Sequence, residues 1–258
     1  MRMKIDVTLD YGLDSPGPAL LLVEAAGVEG QVLNHASIDL GQPLKSARVP
    51  GEEGIGERLI LRLQDRLTCR YSAEVEVTRP LPDLQHLSAV EVEDMPGDAL
   101  RYLLPSRYCP AERFGYFVSS RFEGLSGGPL VAALRDWVER NLDYVSGASD
   151  GDTTAADTFL DRRGVCRDYA HLLISLCRAA QIPARIASVY APPVDPQDFH
   201  AVVQVYLDHD WHLVDPTGMA QADQMALVAV GRDATDVAFL TTTSVAELKT
   251  QQVKVSAL

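Results

Sequence analysis

The stretch GVCRDYAHLLISLC, residues Gly164–Cys177, decides the reading of this chain. It is a helix that opens on a thiol: Gly164 lets the backbone turn sharply, Cys166 stands at the helix start, and the apolar residues that follow carry the helix to Ala180 before Ile182–Pro183 ends it. The free amides and the dipole of a helix N-terminus favour negative charge, which suits a nucleophilic sulfur there. Cys177 lies on the same face but about 16 Å further along, too far for a disulfide. Among Leu173, Leu176 and Ala180 it reads as core packing. Two strand-like stretches follow, DFHAVVQVY (residues 198–206) and WHLVDPT (residues 211–217). If Ala201–Leu207 and Trp211–Val214 pair as a hairpin through Asp208–Asp210, His200 and Asp215 fall at the same open end. A thiol, an imidazole and a carboxylate in that order are the parts of a cysteine-nucleophile acyl-transfer site.

Upstream the pattern changes. Leu67, Cys69, Tyr71, Ala73, Val75 and Val77 alternate with polar residues across Arg66–Arg79, and Ile5, Val7 and Leu9 do the same near the start. Turn residues cluster at Gly12–Pro18, Gly41–Pro43 and Pro50–Gly56. These features predict an antiparallel β domain, a sandwich or curved sheet, with an irregular link over Pro96–Gly128. A helix is expected from Pro129, with Leu130, Ala133, Leu134, Trp137 and Val138 as its apolar stripe. Another is expected over Thr154–Arg162, capped by Asp152 or Thr153. Ile186–Tyr190 reads as a strand, and Val237–Thr242 and Val253–Val255 as a strand-like tail. The fold class is α+β, with an N-terminal β domain and linker over 1–125 and a core of helices packed on an antiparallel sheet over 126–258.

The charge balance narrows the partners. With 23 basic and 36 acidic side chains the formal charge is −13, and no basic block occurs, so nucleic acid and anionic membranes are poor partners. The apolar run at Ala19–Val28 is too short to span a bilayer and contains Glu24. A cytoplasmic protein is expected. Cys69, Cys109, Cys166 and Cys177 form no CxxC pair, which indicates neither a zinc site nor a disulfide framework. Asp208, His209, Asp210 and His212 read as a hairpin tip rather than metal ligands, and Asp150-Gly151-Asp152 lacks a calcium-loop pattern. Asp168 suits a first-turn capping carboxylate more than a catalytic one, and Arg185 is either a structural ion-pair partner, the favoured role, or an anchor for a substrate carboxylate.

Taken together, GVCRDYAHLL, IPARIASVY and FHAVVQVYLDHDWHLVDPT resemble the transglutaminase-like superfamily of papain-type cysteine enzymes, in particular a bacterial group regarded as cysteine proteases. The family has a glycine-x-cysteine helix start, a proline-alanine-arginine strand entry, a histidine-alanine strand and an aspartate-proline-threonine turn. All four occur in order between Thr153 and Met219. YLLPSRYC at Tyr102–Cys109 and GRDATDVAF at Gly231–Phe239 resemble the bacterial members, whereas Val202 stands where the family often has tryptophan. The resemblance implies Cys166 as nucleophile, His200 as general base and acid, and Asp215 as orienting carboxylate. It also implies a thioester intermediate at a peptide or protein amide, with no cofactor and no metal. Hydrolysis is the expected outcome. Amine transfer of the transglutaminase type and a non-catalytic peptide-binding scaffold are the alternatives.

Overall fold

The first part of the chain forms six strands: β1 (Arg2–Leu13), β2 (Gly17–Leu21), β3 (Gln31–Asp39), β4 (Ser46–Pro50), β5 (Glu57–Leu63) and β6 (Arg66–Val77). Burial has period two in β1, β2, β5 and β6, whereas side chains are largely exposed in the edge strands β3 and β4. The computed structural model describes residues 1–41 and 45–258; the expected turn at Gly41–Pro43 therefore lies partly outside the described residues. In β6 every second side chain from Leu67 to Val77 is buried, while Arg66, Arg70 and Glu76 are exposed. The strand pairs antiparallel with β1, Ile5 opposite Ala73 and Val7 opposite Tyr71. A one-residue slip would turn those arginines and glutamates inward, so the hydrophobic pattern holds the register.

The second part contributes α1 (Gly97–Leu100), α2 (Gly115–Arg121), α3 (Gly127–Asn141), β7 (Asp143–Tyr144), α4 (Ala155–Asp161), β8 (Arg163–Gly164) and α5 (Cys166–Ala179). Then come β9 (Ala184–Tyr190), β10 (His200–Leu207), β11 (Asp210–Val214), β12 (Ala226–Gly231), α6 (Ala234–Val237), β13 (Leu240–Thr242) and β14 (Ala246–Ala257). Strands β11-β10-β9-β12 form an antiparallel sheet in that order, and α5 packs on β9 and β10. Residues Asp168 to Arg178 of α5 are all buried. A helix enclosed on every side belongs to the core rather than the surface.

Three expectations are corrected. The stretch 96–128 is not an irregular link throughout, because α1, α2 and two single 3-10 turns, Arg101–Leu103 and Ala111–Arg113, occupy it. Segments this short show no periodic stripe. The cap of α4 is Thr154, whose N–H donates to Asp157 Oδ2 at 2.9 Å. Asp152 and Thr153 are used one turn earlier, their N–H groups donating to Asp150 Oδ1 at 2.9 and 3.1 Å. The tail behaves differently from an extension of the second part. Ala234–Val237 is helical, β13 pairs with β2, and β14 pairs with β1 with Val255 opposite Ile5 and Val253 opposite Val7.

The result is two further four-stranded sheets, ordered β14-β1-β6-β3 and β13-β2-β5-β4. A contiguous cluster of buried side chains links them to the α5 layer, from Met3 and Ile5 through Leu173 and Val203 to Val255. Gly128, at the start of α3, sits where a Cβ would lie 1.7 Å from the Leu84 carbonyl oxygen, so only glycine allows this approach. No helix among the described residues is long and apolar enough to cross a membrane.

Arg185 supplies a polar tie between the parts. Its side chain is only 2% exposed, lies over the Trp211 ring at 3.9 Å, donates to Gln204 Oε1 at 2.9 Å and pairs with Glu53. Glu53→Ala is expected to leave this guanidinium buried without its counter-ion. The loss should be about 2 kcal/mol or more, below the cost at a fully buried pair because Glu53 is partly solvated. Urea denaturation of the variant measures it.

Candidate active site

Cys166 opens α5, and its approach is shaped by what Asp168 must do. The Asp168 carboxylate is fully buried; its Oδ2 accepts the Val165 N–H at 2.8 Å and the Ser149 hydroxyl, and Oδ1 pairs with Arg167 at 3.0 Å. It satisfies a free amide at the helix start, as a capping carboxylate does. A Cβ on residue 164 would lie 2.6 Å from the Asp168 Cβ, which explains Gly164. The Cys166 sulfur is half-buried and 4.0 Å from the Phe199 carbonyl oxygen.

His200 begins β10, and its strand partner places it beside Asp215 just past the end of β11. Nε2 of His200 is 2.9 Å from Asp215 Oδ2, and both side chains are buried. Pro216 ends the strand, and the following turn folds back on the carboxylate. Asp215 Oδ1 accepts the N–H and hydroxyl of Thr217 at 2.8 and 2.7 Å, and Oδ2 also accepts the Ala220 N–H at 3.0 Å. With Nε2 engaged, Nδ1 of His200 is buried without a hydrogen-bond partner among the described residues. It is the nitrogen left for the neighbouring thiol.

Electrostatics follow from this packing. Burial alone would push the His200 pKa down. The hydrogen bond and charge of Asp215, together with the adjacent Cys166 sulfur, outweigh burial and raise it to about 10. Burial opposes ionisation of Asp215 too, but His200 and the Thr217 donors hold its pKa below the usual carboxylate value. The two shifts predict opposite flanks of a stability profile. The His200 contribution is fully present below about pH 6.5 and is lost as pH rises through about 10. The Asp215 contribution is present above about pH 4 and is lost as pH falls further. Urea melts at several pH values, compared with those of His200→Gln, should show a steeper decline between about pH 6.5 and 9 in the wild type; above that, buried thiols such as Cys177 weaken both proteins.

Tyr144 belongs to the same site and escaped the sequence reading. The parallel pairing of β7 with β8 sets Tyr144 opposite Gly164, which brings its hydroxyl to the Cys166 backbone amide and thiol. Burial first, and then the Cys166 charge, raise the Tyr144 pKa, so the hydroxyl stays protonated as a donor. A two-residue strand after a helix leaves no periodic trace, and nothing local distinguished this tyrosine.

The other candidates separate cleanly. Cys177 is fully buried, and burial pushes its thiol up to about 12. Arg185 faces Glu53 and Trp211, away from Cys166. Asp208 and His209 take positive φ at the hairpin tip; Asp208 Oδ1 accepts the Ser88 N–H, and His212 Nε2 lies 3.1 Å from the Leu207 carbonyl oxygen.

Residues 127–216 match the profile of the transglutaminase-like superfamily. An uncharacterized protein of Mycobacterium leprae is 30% identical over 185 residues, 67% of this chain and 66% of that relative. An uncharacterized protein of Mycobacterium bovis is 32% identical over 127 residues, 42% of this chain and 40% of that relative. This chain thus spans about two thirds of the first and two fifths of the second. The crystal structure of a candidate cysteine protease from Cytophaga hutchinsonii aligns with a TM-score of 0.94 and 32% identity, covering 100% of this chain and 91% of that one.

Proposed function

Because this chain belongs to the transglutaminase-like superfamily, we propose that it breaks amide bonds of peptides or proteins by acyl transfer through Cys166, with water as the usual acceptor. The likeness to a candidate cysteine protease supports a cysteine-protease-like function. One observation carries the finer reading. The His200 Nε2–Asp215 Oδ2 hydrogen bond at 2.9 Å leaves Nδ1 buried and unpaired beside a thiol at a helix start.

In the first half-reaction the Cys166 thiolate attacks the amide carbonyl carbon, and the carbonyl π electrons move onto oxygen. The oxyanion is received by the Cys166 N–H and the Tyr144 hydroxyl. Collapse breaks the C–N bond; the imidazolium of His200 gives its proton to the departing amine, leaving a thioester. In the second, neutral His200 takes a proton from water as the water oxygen attacks the thioester, and the thiolate departs as its imidazolium partner is restored. Asp215 holds the ring and stabilises its positive charge without taking the proton. The four cysteines are free and three of them buried, which suits a reducing, cytoplasmic setting.

The test is turnover of fluorogenic peptide amides with mass spectrometry of the trapped thioester on Cys166. Absence of any Cys166 adduct under turnover would remove the reading. Tyr144→Phe is expected to lower kcat about 100-fold with little change in KM, since the lost hydroxyl acts on the oxyanion rather than on the bound amide. Steady-state kinetics of the variant decide it.

A further inference from the structure

Cys166 and His200 open onto a cavity of about 410 Å³. That volume lies within the range of small-ligand pockets. The near wall is the start of α5 with Ile186, Ser188 and Phe199. The far wall is Tyr108 and the 234–241 segment, both outside the 127–216 family match, so the shape of the cavity is set by parts of the chain beyond that match.

This far wall is built to hold its form. Asp233 accepts the Tyr108 N–H at 3.2 Å through Oδ2 and the Thr235 N–H at 3.0 Å through Oδ1. His171, inside α5, stacks on Tyr108 with ring centroids 5.0 Å apart, and its Nε2 accepts the Ala234 N–H at 3.1 Å. Burial lowers the His171 pKa to about 4, so the ring stays neutral and keeps that acceptor. Phe239 stacks on Phe199 at 4.3 Å and closes the wall against the strand that carries His200.

The lining decides between an apolar and a charged guest. Ile186, Phe199, Val237, Phe239 and Leu240 supply the surface. Of the two arginines at the mouth, Arg167 is held by the buried Asp168 at 3.0 Å, while Arg107 lies over the Tyr108 ring and is itself solvated, its contact with Asp152 at 3.1 Å being exposed. A charged side chain entering here would lose its hydration beside apolar groups and gain little in return. An apolar one gains in proportion to the area it buries.

We propose that this cavity is the acyl-side specificity subsite, and that it takes a leucine- to phenylalanine-sized apolar side chain of a peptide substrate. The proposal rests on the acyl-transfer reading of Cys166. Peptidyl acyloxymethyl ketones that differ only in the side chain next to the reactive ketone test it, with labelling of Cys166 followed by intact mass. Leucine and phenylalanine probes should label about 10- to 100-fold faster than alanine, aspartate or lysine probes. Ala238→Trp, at an exposed lining position, should erase that preference. Iodoacetamide, too small to need the cavity, should still alkylate Cys166 in the variant, which reports that the thiol remains reachable. Phe239→Ala should weaken the preference from the opposite direction, by removing a wall. Equal labelling by all probes, fastest labelling by a charged probe, or an Ala238→Trp effect equal for every probe would overturn the subsite and leave acyl transfer standing. Failure of iodoacetamide to modify Cys166 in the wild type would instead remove the acyl-transfer reading, and the subsite with it.

Discussion

Cys166→Ala is expected to reduce amide turnover on the order of 10⁴- to 10⁶-fold, because covalent catalysis ends with the sulfur and only the binding and oxyanion contributions survive. The fold should be unaffected. Cys166 is half-buried at the edge of the cavity, and its removal leaves Asp168 to hold the helix start. Cys177→Ser supplies the contrast. Cys177 is fully enclosed in the core, and a hydroxyl there should cost about 1–3 kcal/mol. Activity and thermal melting measured on both variants separate the roles. Equal losses of melting temperature, with activity retained in Cys166→Ala, would make Cys166 a packing residue.

Asp215→Asn is expected to lose on the order of 10²- to 10⁴-fold in kcat, and to lose stability as well. The reason is the donor count around the carboxylate. His200 Nε2 and the Ala220 N–H approach Oδ2, while the Thr217 N–H and hydroxyl approach Oδ1. An asparagine has one acceptor oxygen, so its NH₂ must meet a buried N–H on one side whichever way it is turned. With its oxygen toward His200, the amide confronts Thr217; with its oxygen toward Thr217, the imidazole loses its anchor. The cost in stability should be about 1–3 kcal/mol, the penalty of an unsatisfied buried donor. His200→Ala should lose activity nearly as completely as Cys166→Ala, since the imidazole that would give the leaving amine its proton is gone. A stopped-assay comparison of the three variants, with urea melts, checks the order. Full activity in Asp215→Asn would remove the orienting role.

The parts that were legible in the chain are those whose signal is local. Glycine before a thiol, then an apolar helical run, identified α5 and its N-terminal cysteine. Alternation marked β6 and the β10–β11 hairpin, and hairpin pairing alone puts His200 and Asp215 at one open end. Arg185 suits an ion pair from its sequence, but its partner is Glu53, 132 positions away. No local pattern could name that partner, because nothing in a sequence window encodes which distant carboxylate closes over a buried cation.

What only the tertiary structure decided has this character throughout. Residues 246–252 show little apolar alternation, so the sequence marks only the end of β14 at Val253–Val255; its full length became visible through its ladder with β1, where these valines complete a buried face begun 250 positions earlier. Tyr144 reaches Cys166 through a two-residue parallel pairing, too short for any periodicity. The wall of the cavity is assembled from Tyr108, His171 and the turn at Asp233, three points that share no motif. The sequence by itself determined the helix, the strands and the order of the chemical groups, since side-chain pattern and backbone preference act over a few residues. Closure of sheets and burial of distant surfaces decided the donor beside the thiol and the shape of the space in front of it.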